Sequence, residues 1–249
     1  MIRVSFLTLV AIAALGSEPV HAVTYNWIDG VDRIKNPSTN GPWTYGSQAS
    51  LSAAFVPMRK SLFTRRFDDL VFVQWIDDGP AANIEFNLRD VFHEDPYGGG
   101  RPADSVSIHP GSGGAYGVMR FTAPVAGDYT FNIGFTGNNS LVAPSTDVHV
   151  IVNGIDSYSG TVNSIRVGEV LGAGPTFTPA APISLAVGGT IDLAVGDGGN
   201  GHGYDLTGVH GYIERLGGGA TSVPEPGCAT LTACATLAML ALRRSRCKC

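Results

Sequence analysis

Short runs in which apolar and polar residues alternate are the feature that most constrains how this 249-residue chain can fold. In the runs 129–135 and 148–152, every second position holds an aromatic or β-branched residue. Successive side chains of a β-strand point to opposite faces, so a period of two is typical of half-buried strands. Between residues 23 and 216, no apolar stripe with helical spacing continues beyond a turn or two, which predicts an all-β domain.

Shorter alternating runs extend this pattern toward both ends of the domain. We predict further strands at 23–28, 70–75, 83–88, 106–109, 117–121, 183–187 and 191–195. The pair Gly188-Gly189 separates the last two runs and suits a type I′ turn, which needs positive φ at both positions, so we expect a hairpin there. About ten short strands predict a single β-sandwich, with a jelly roll as its expected form.

The composition of the region 23–216 limits the kinds of partner that it can bind. All four cysteines of the chain lie beyond this region, so its core has to form without disulfides. Its length suits one β-rich domain of ordinary size. It contains 11 Lys and Arg against 19 Asp and Glu, a formal net charge of −8. Because proteins neutralise nucleic-acid phosphates with basic residues, this charge argues against a nucleic-acid partner.

The N-terminus has the pattern of a secretory signal peptide. Arg3 precedes an apolar run over 6–15, and Val20-His21-Ala22 supplies the small residues that signal peptidase requires. The run is shorter than the ~20 apolar residues of a membrane-spanning helix, which favours a removed signal over an anchor. We therefore predict a signal peptide at 1–22 that is cleaved after Ala22.

The C-terminus combines a linker, an apolar segment and a basic cluster. In chain order these are a Gly/Pro linker at 217–226 ending in Val223, Pro224, Glu225 and Pro226, an uncharged run at 228–242, and Arg243, Arg244 and Arg246. Arginines resist translocation, so the apolar run can enter a bilayer and stop there, leaving the domain outside the cytoplasm. The Pro-rich part also suits a stiff, extended linker. We predict a transmembrane sorting segment with a basic tail at 227–249.

This C-terminal region resembles the PEP-CTERM sorting signal of exported proteins in Gram-negative bacteria. The resemblance rests on Pro224-Glu225-Pro226, the short apolar segment and the arginine cluster, while the tail Cys247-Lys248-Cys249 departs from the pattern. It implies processing by an exosortase that cuts near the Pro-Glu-Pro motif. It also implies a protein held transiently in the inner membrane and then retained at the cell surface or in the extracellular matrix.

The domain itself resembles an uncharacterised group of exported PEP-CTERM proteins. The shared motifs are Asn36-Pro37, the segment 41–46, His109-Pro110-Gly111, the segment 123–129, and Val195-Gly196 followed by 205–208. The segment 123–129, which ends in Gly127-Asp128-Tyr129, also resembles the turn-strand unit of jelly-roll carbohydrate-binding modules. Both resemblances imply a β-sandwich, and neither implies a particular activity.

Trp43 and Tyr45 are the candidate carbohydrate contacts. They alternate within a segment rich in Gly, Pro and Asn, and a flat aromatic ring packs well against the apolar face of a sugar. The alternative is an aromatic plug that closes the end of the sandwich. Trp75 follows an apolar run, and we expect it in the core.

The glycine-rich loop 197–205 is a candidate calcium site. Asp197, Asn200 and Asp205 carry the carboxylate and amide oxygens that Ca²⁺ prefers. The loop lacks the acidic spacing and terminal Glu of an EF-hand. The alternative is that Asp197 and Asp205 cap turns by accepting hydrogen bonds from backbone amides.

No recognised catalytic motif is present in the domain. It has neither a Gly-x-Ser-x-Gly elbow nor a His-Glu-x-x-His pair, and His93-Glu94-Asp95 lacks the spacing of metal ligands. We therefore predict a non-enzymatic exported protein that binds extracellular polysaccharide or has a structural role. A polysaccharide hydrolase or lyase is one alternative, since carboxylates distant in sequence can meet across a cleft. A calcium-stabilised adhesion module is the other.

Overall fold

The computed structural model describes residues 21–28, 31, 36, 41–65, 71–76 and 82–217, with the backbone alone at 60–65 and 71–72. The chain divides into a compact domain, Ala22–Leu216, and a second unit made of Met1–His21 and Gly217–Cys249. The predicted signal peptide up to residue 20, the Pro-Glu-Pro motif and the apolar C-terminal segment lie outside the described residues. Within the described ranges, no helix has the length and hydropathy needed to span a membrane.

The domain is all-β in its described residues, apart from a short 3₁₀ helix at Ser112–Gly114. Its strands are β1 (Val23–Tyr25), β2 (Trp43–Gln48), β3 (Val56–Pro57), β4 (Lys60–Arg65), β5 (Val71–Ile76), β6 (Asn83–Asn87), β7 (His93–Glu94), β8 (Gly100–Arg101), β9 (Ser105–His109), β10 (Tyr116–Thr122), β11 (Gly127–Gly137), β12 (Thr146–Val152), β13 (Ile155–Val162), β14 (Thr176–Phe177), β15 (Ile183–Leu185), β16 (Thr190–Val195) and β17 (Thr207–Arg215).

Two antiparallel sheets form a sandwich. The larger sheet has nine strands in the order β14-β11-β17-β9-β6-β5-β4, with β1 paired to β17 and β15 paired to β11. The second sheet has six strands in the order β13-β12-β16-β10-β2-β3, and β7 pairs with β8 in a separate small ribbon. The prediction of an all-β sandwich is confirmed.

One hydrophobic core lies between the sheets, as the alternation predicts. Every second residue of β11, from Tyr129 to Phe135, is buried in it, and so are Val148 and Val150 of β12. The hydroxyl of Tyr129 donates a hydrogen bond to the Val125 carbonyl, 2.6 Å away, which fixes the corner at which the chain enters β11. Trp75 is buried in the same core, as predicted.

The predicted hairpin at Gly188-Gly189 is wrong. Strand β15 pairs with β11 in the larger sheet, whereas β16 pairs with β10 and β12 in the other sheet, so this turn carries the chain across the sandwich. Only Gly188 of the pair has positive φ, at 83°, and the Gly189 N–H donates to the Ala186 carbonyl at 2.9 Å. Positive φ at the third turn position is typical of type II geometry, which requires one glycine where type I′ requires two.

Eight of the described strands lie outside the predicted runs: four of two residues each, and the longer strands β2, β4, β13 and β17. Strand β17 lies inside the larger sheet, between β11 and β9, although it contains Gly208 and Gly211. Gly211 has φ of 117°, and a Cβ there would lie 1.8 Å from the Asn132 carbonyl oxygen of β11. Close approach of the two backbones therefore requires glycine at this point of the strand.

Candidate functional site

The prediction that Trp43 and Tyr45 contact a carbohydrate is wrong. Both are completely buried, at 0% relative exposure, because they lie on the core side of β2. Trp43 packs edge-on against Phe121, and Tyr45 stacks on Trp75 at 6.0 Å between ring centroids. These rings are part of the hydrophobic core, so a ligand site would lie elsewhere on the domain.

The side chain of Asn36 explains why an Asn-Pro pair accompanies the aromatic segment 41–46. Its Oδ1 accepts the Tyr45 backbone N–H at 2.9 Å, and its Nδ2 donates to the backbone carbonyls of Tyr45 and Met58. The Asn36 amide thereby satisfies the hydrogen-bonding capacity of backbone groups of β2. The shared motif is accounted for by folding and not by ligand binding.

A cavity of about 390 Å³ lies on the face of the larger sheet that points away from the core. In β6 and β9, Ile84 and Ile108 are buried in the core, so their neighbours Asn83, Glu85 and His109 project from the opposite face. The connection between β6 and β9 contributes a wall to the cavity, and the loop between β16 and β17 contributes another.

Arg101 fixes the charged floor of this cavity. Its Nε lies 2.5 Å from Glu85 Oε2, and its Nη1 lies 2.9 Å from Asp95 Oδ2. The other Glu85 oxygen accepts from Gln74 Nε2, and the other Asp95 oxygen accepts the backbone N–H groups of Tyr97 and Gly99. Burial alone would lower the pKa of Arg101, but the two carboxylates outweigh it and raise that pKa. Both carboxylates are therefore held in place by Arg101.

His109 and Asn83 provide hydrogen-bond acceptors in the cavity. Burial lowers the pKa of His109, so the ring is neutral at pH 7. Its Nδ1 lies 2.8 Å from the Pro110 carbonyl, which assigns the proton to Nδ1 and leaves Nε2 as an acceptor. The buried Oδ1 of Asn83 has no hydrogen-bond partner in the described part of the chain. Buried polar atoms are normally paired, so these two positions are suited to hydroxyl donors of a ligand.

Two exposed tyrosines, Tyr97 and Tyr204, complete the lining. Their relative exposures are 65% and 44%, in contrast to the buried aromatics of the core. Tyr204 has φ of 68°, a left-handed conformation that costs a non-glycine residue about 1–3 kcal/mol. Such strain concentrates at functional sites. The sequence signal for both was a tyrosine beside glycines in a turn, at 97–100 and 203–204.

The three predicted calcium ligands do not form one carboxylate cluster. Asp197 Oδ1 accepts the Gly199 N–H at 2.9 Å, which is the turn-capping alternative. Asn200 and Asp205 instead contact Ser145, which precedes β12. Among the described residues, no group of three or more His, Cys, Asp or Glu side chains is arranged to hold a metal ion.

A second polar cluster lies on the outer side of the six-stranded sheet. His149 contacts two carboxylates: its Nδ1 lies 2.9 Å from Asp156 Oδ2, and its Nε2 lies 3.1 Å from Asp147 Oδ2. Tyr116 donates its hydroxyl to the same Asp147 oxygen at 2.5 Å. Burial alone would raise the pKa of Asp147, but hydrogen bonds from His149, Tyr116 and the Gly198 N–H lower it. Both nitrogens of His149 are occupied, so this cluster has a structural role.

A larger cavity, of about 560 Å³, lies elsewhere in the larger sheet, beside Asp104 and His210. Burial lowers the pKa of His210, so this ring is neutral at pH 7. Among the described lining residues, Trp27 is the one Trp, Tyr or Phe, and it is buried. This lining therefore offers a ligand no exposed aromatic ring of the kind on which a sugar stacks.

Comparisons with known proteins give distant structural likenesses. No family model matches the chain, and no curated protein matches it. A CBM51 from Clostridium perfringens GH95, solved with methyl-galactose, is 14% identical with a TM-score of 0.33, over 63% of this chain and 100% of that one. A cyclase from Fischerella sp. TAU is 11% identical with a TM-score of 0.38, over 79% and 98%. CBM35 from Cellvibrio japonicus Abf62 is 11% identical with a TM-score of 0.29, over 59% and 94%. These similarities are too low to indicate a function.

Proposed function

We propose that this chain is a non-enzymatic carbohydrate-binding protein and that its 390 Å³ cavity binds a neutral saccharide. The observation that carries the proposal is the pair of exposed tyrosines, Tyr97 and Tyr204, beside a floor of fixed polar groups. A sugar ring has an apolar face that stacks on tyrosine and hydroxyls that need hydrogen-bond partners. This cavity offers both kinds of contact.

The size and rigidity of the cavity suit a small saccharide unit. Ligand pockets range from about 300 to 1,000 Å³, and this cavity lies at the small end of that range. The side chains of Arg101, Glu85 and Asp95 are held by their own hydrogen bonds, so little side-chain ordering is needed on binding. The acceptors Asn83 Oδ1 and His109 Nε2 then select hydroxyl donors.

The charge of the cavity favours neutral sugars over acidic ones. Two carboxylates, Glu85 and Asp95, face the guanidinium of Arg101, and His109 is neutral because burial lowers its pKa. The surrounding domain carries a formal net charge of −8 over residues 23–216. Uronic acids and sulfated sugars are therefore repelled, while uncharged hexoses are not.

The state of the carboxylates argues against a polysaccharide hydrolase or lyase. Glycoside hydrolysis requires one carboxylic acid that can donate a proton and a second carboxylate as base or nucleophile. Glu85 and Asp95 are both bonded to Arg101, and their remaining oxygens accept hydrogen bonds from Gln74 and from the backbone N–H groups of Tyr97 and Gly99. Neither is therefore suited to the acid role, and binding without turnover is the function that the geometry supports.

We further propose that the protein works outside the inner membrane of a Gram-negative bacterium. The support is the sequence: a signal peptide at 1–22, the Pro224-Glu225-Pro226 motif, and an apolar segment closed by arginines. Signal peptidase and an exosortase are the proposed processing partners, and the membrane holds the C-terminal segment during processing. The proposed ligand is extracellular polysaccharide, and the proposed strand arrangement of the sandwich is a jelly roll.

Tyrosine substitution in the full-length chain tests the binding site. We expect a glycan array to identify a neutral saccharide, and calorimetry with that saccharide to show Kd raised at least about 10-fold by Tyr97→Ala and by Tyr204→Ala, a loss of about 1.4 kcal/mol per tenfold change. Tyr212 is similarly exposed, at 41%, but does not line the cavity, so Tyr212→Ala is the matched control.

Two outcomes would contradict the proposal. Binding that survives both cavity substitutions would place the saccharide elsewhere on the protein. Release of shortened glycan from a bound ligand would support the hydrolase or lyase alternative.

A further inference from the structure

The carboxylate of Asp205 is buried without a compensating positive charge among the described residues. Its relative exposure is 0%, and its Oδ1 accepts the Ser145 backbone N–H at 2.8 Å, but its Oδ2 has no hydrogen-bond partner in the described ranges. The ionisable groups that act on it are His109, which is neutral at pH 7 because burial lowers its pKa, and Asp197, which is an acid. A buried charge of this kind is costly unless something pairs with it.

The hydrogen-bond acceptors around Asp205 also outnumber the donors that the protein provides there. Ser145 Oγ lies 2.8 Å from Asn200 Oδ1 and 3.2 Å from Asp205 Oδ1. A hydroxyl carries one proton and can donate to only one of these acceptors. The second acceptor, together with the unpaired Asp205 Oδ2, leaves lone pairs that no described protein donor satisfies.

A hard cation would neutralise the buried charge of Asp205 and coordinate the oxygens that lack a hydrogen-bond donor. We infer that Asp205 is the anionic ligand of a Ca²⁺ ion and that Asn200 and Ser145 supply neutral oxygens beside it. Calcium accepts six to eight oxygens from carboxylates, amides, carbonyls and water, so neutral oxygens and water would complete its coordination beside the single carboxylate. Such a site differs from a cluster of three or more His, Cys, Asp or Glu side chains, which the described residues do not contain.

This ligand set differs from the one that the loop sequence suggested. Asp197 is excluded because its Oδ1 caps the turn at Gly199, whereas Ser145 is added although it lies 60 residues from Asp205. The ion would join the connection between β11 and β12 to the loop between β16 and β17. It would therefore stabilise the domain whether or not a saccharide occupies the neighbouring cavity.

Thermal melting of the full-length chain with and without calcium tests the inference. Ca²⁺ at 100 times its Kd is expected to raise the melting temperature by about 5–10 °C over the value in EDTA. Asp205→Asn should abolish this response. In EDTA it should melt no lower than the unsubstituted chain, because it removes the uncompensated charge. Asp197→Asn is the matched control, and it should keep the calcium response.

Three results would overturn the inference. The first is the absence of a shift in the unsubstituted chain at millimolar Ca²⁺. The second is a calcium response that persists in Asp205→Asn. The third is stabilisation in EDTA as the pH falls, without any calcium effect, which would show that Asp205 is held as a neutral acid. None of these results bears on saccharide binding, so the two proposals fail separately.

Discussion

Replacing His149 by Gln is expected to destabilise the protein in acid more than in base. In the folded chain both imidazole nitrogens contact carboxylates, one on Asp147 and one on Asp156. Only the protonated ring can donate from both nitrogens at once. Glutamine has a single amide nitrogen and cannot reproduce the two contacts.

The sign of the pH dependence follows from two pKa shifts. Burial alone would lower the pKa of His149, but the hydrogen bonds with Asp147 and Asp156 raise it above its ordinary value of 6.5. Its contribution is therefore complete below about pH 6.5 and is lost as the pH rises through the folded pKa. The lowered pKa of Asp147 gives a contribution that is present above its ordinary 3.8 and lost as the pH falls. The cluster thus stabilises most between about pH 4 and 6.5.

The magnitude follows from the kind of contact and its exposure. A hydrogen bond to a charged group contributes about 1.5–3 kcal/mol when buried. The Asp147 and Asp156 side chains are 27% and 39% exposed, and solvent screening places the value at the low end. We expect His149→Gln to cost about 1.5 kcal/mol at pH 6, a fall of about 3–6 °C in melting temperature.

Melting curves at pH 6, 7.5 and 9 measure this difference directly. The gap between the unsubstituted chain and His149→Gln should be largest at pH 6 and close to zero at pH 9. His210→Gln is a control of opposite sign, because burial lowers the pKa of His210 and its imidazole destabilises the fold in acid. A His149→Gln gap that stays constant, or that grows with pH, would refute the reasoning.

Two further substitutions test the cavity floor and the inner strand β17. Arg101→Leu leaves Glu85 and Asp95 without their counter-charge. We expect a loss of about 3 kcal/mol in the free energy of unfolding, measured by urea denaturation. A loss under about 1 kcal/mol would mean that solvent screens the two salt bridges of Arg101. Gly211→Ala forces a Cβ against the Asn132 carbonyl and should cost at least about 2 kcal/mol in the same assay. Its control is Gly203→Ala, where a Cβ meets no atom within 4 Å, and equal losses in the two variants would contradict the steric argument.

The strands that could be predicted from the sequence are those in which alternating apolar residues coincide with alternating buried positions. Strands β10, β11, β12 and β16 bury every second residue between the sheets, and each coincides with a predicted run. Strand β17 gives no such signal because its place is set by pairing with β11 and β9, which lie far away in the chain. The sequence pattern does not show which strands pair with each other. The turn at Gly188-Gly189 could therefore not be distinguished from a hairpin.

The cavity could not be predicted because its residues come from segments far apart in the sequence. Glu85 and Arg101 are 16 residues apart, and Tyr204 is a hundred residues further on, yet the order β5-β6-β9-β17 brings their segments together. The sequence did indicate aromatic side chains as candidate contacts. It could not show that Trp43 and Tyr45 face the core while Tyr97 and Tyr204 remain exposed, because alternation indicates that two side chains share a face of a strand but not which face is buried.

An NMR titration of the isotope-labelled protein with the glycan selected from the array tests the central claim most directly. We predict that the backbone amides of Tyr97, His109 and Tyr204 shift with saturation, while those of Trp43 and His149 stay unchanged. Saturable shifts confined to another surface, with the cavity amides unaffected, would contradict the assignment of this cavity as the saccharide site.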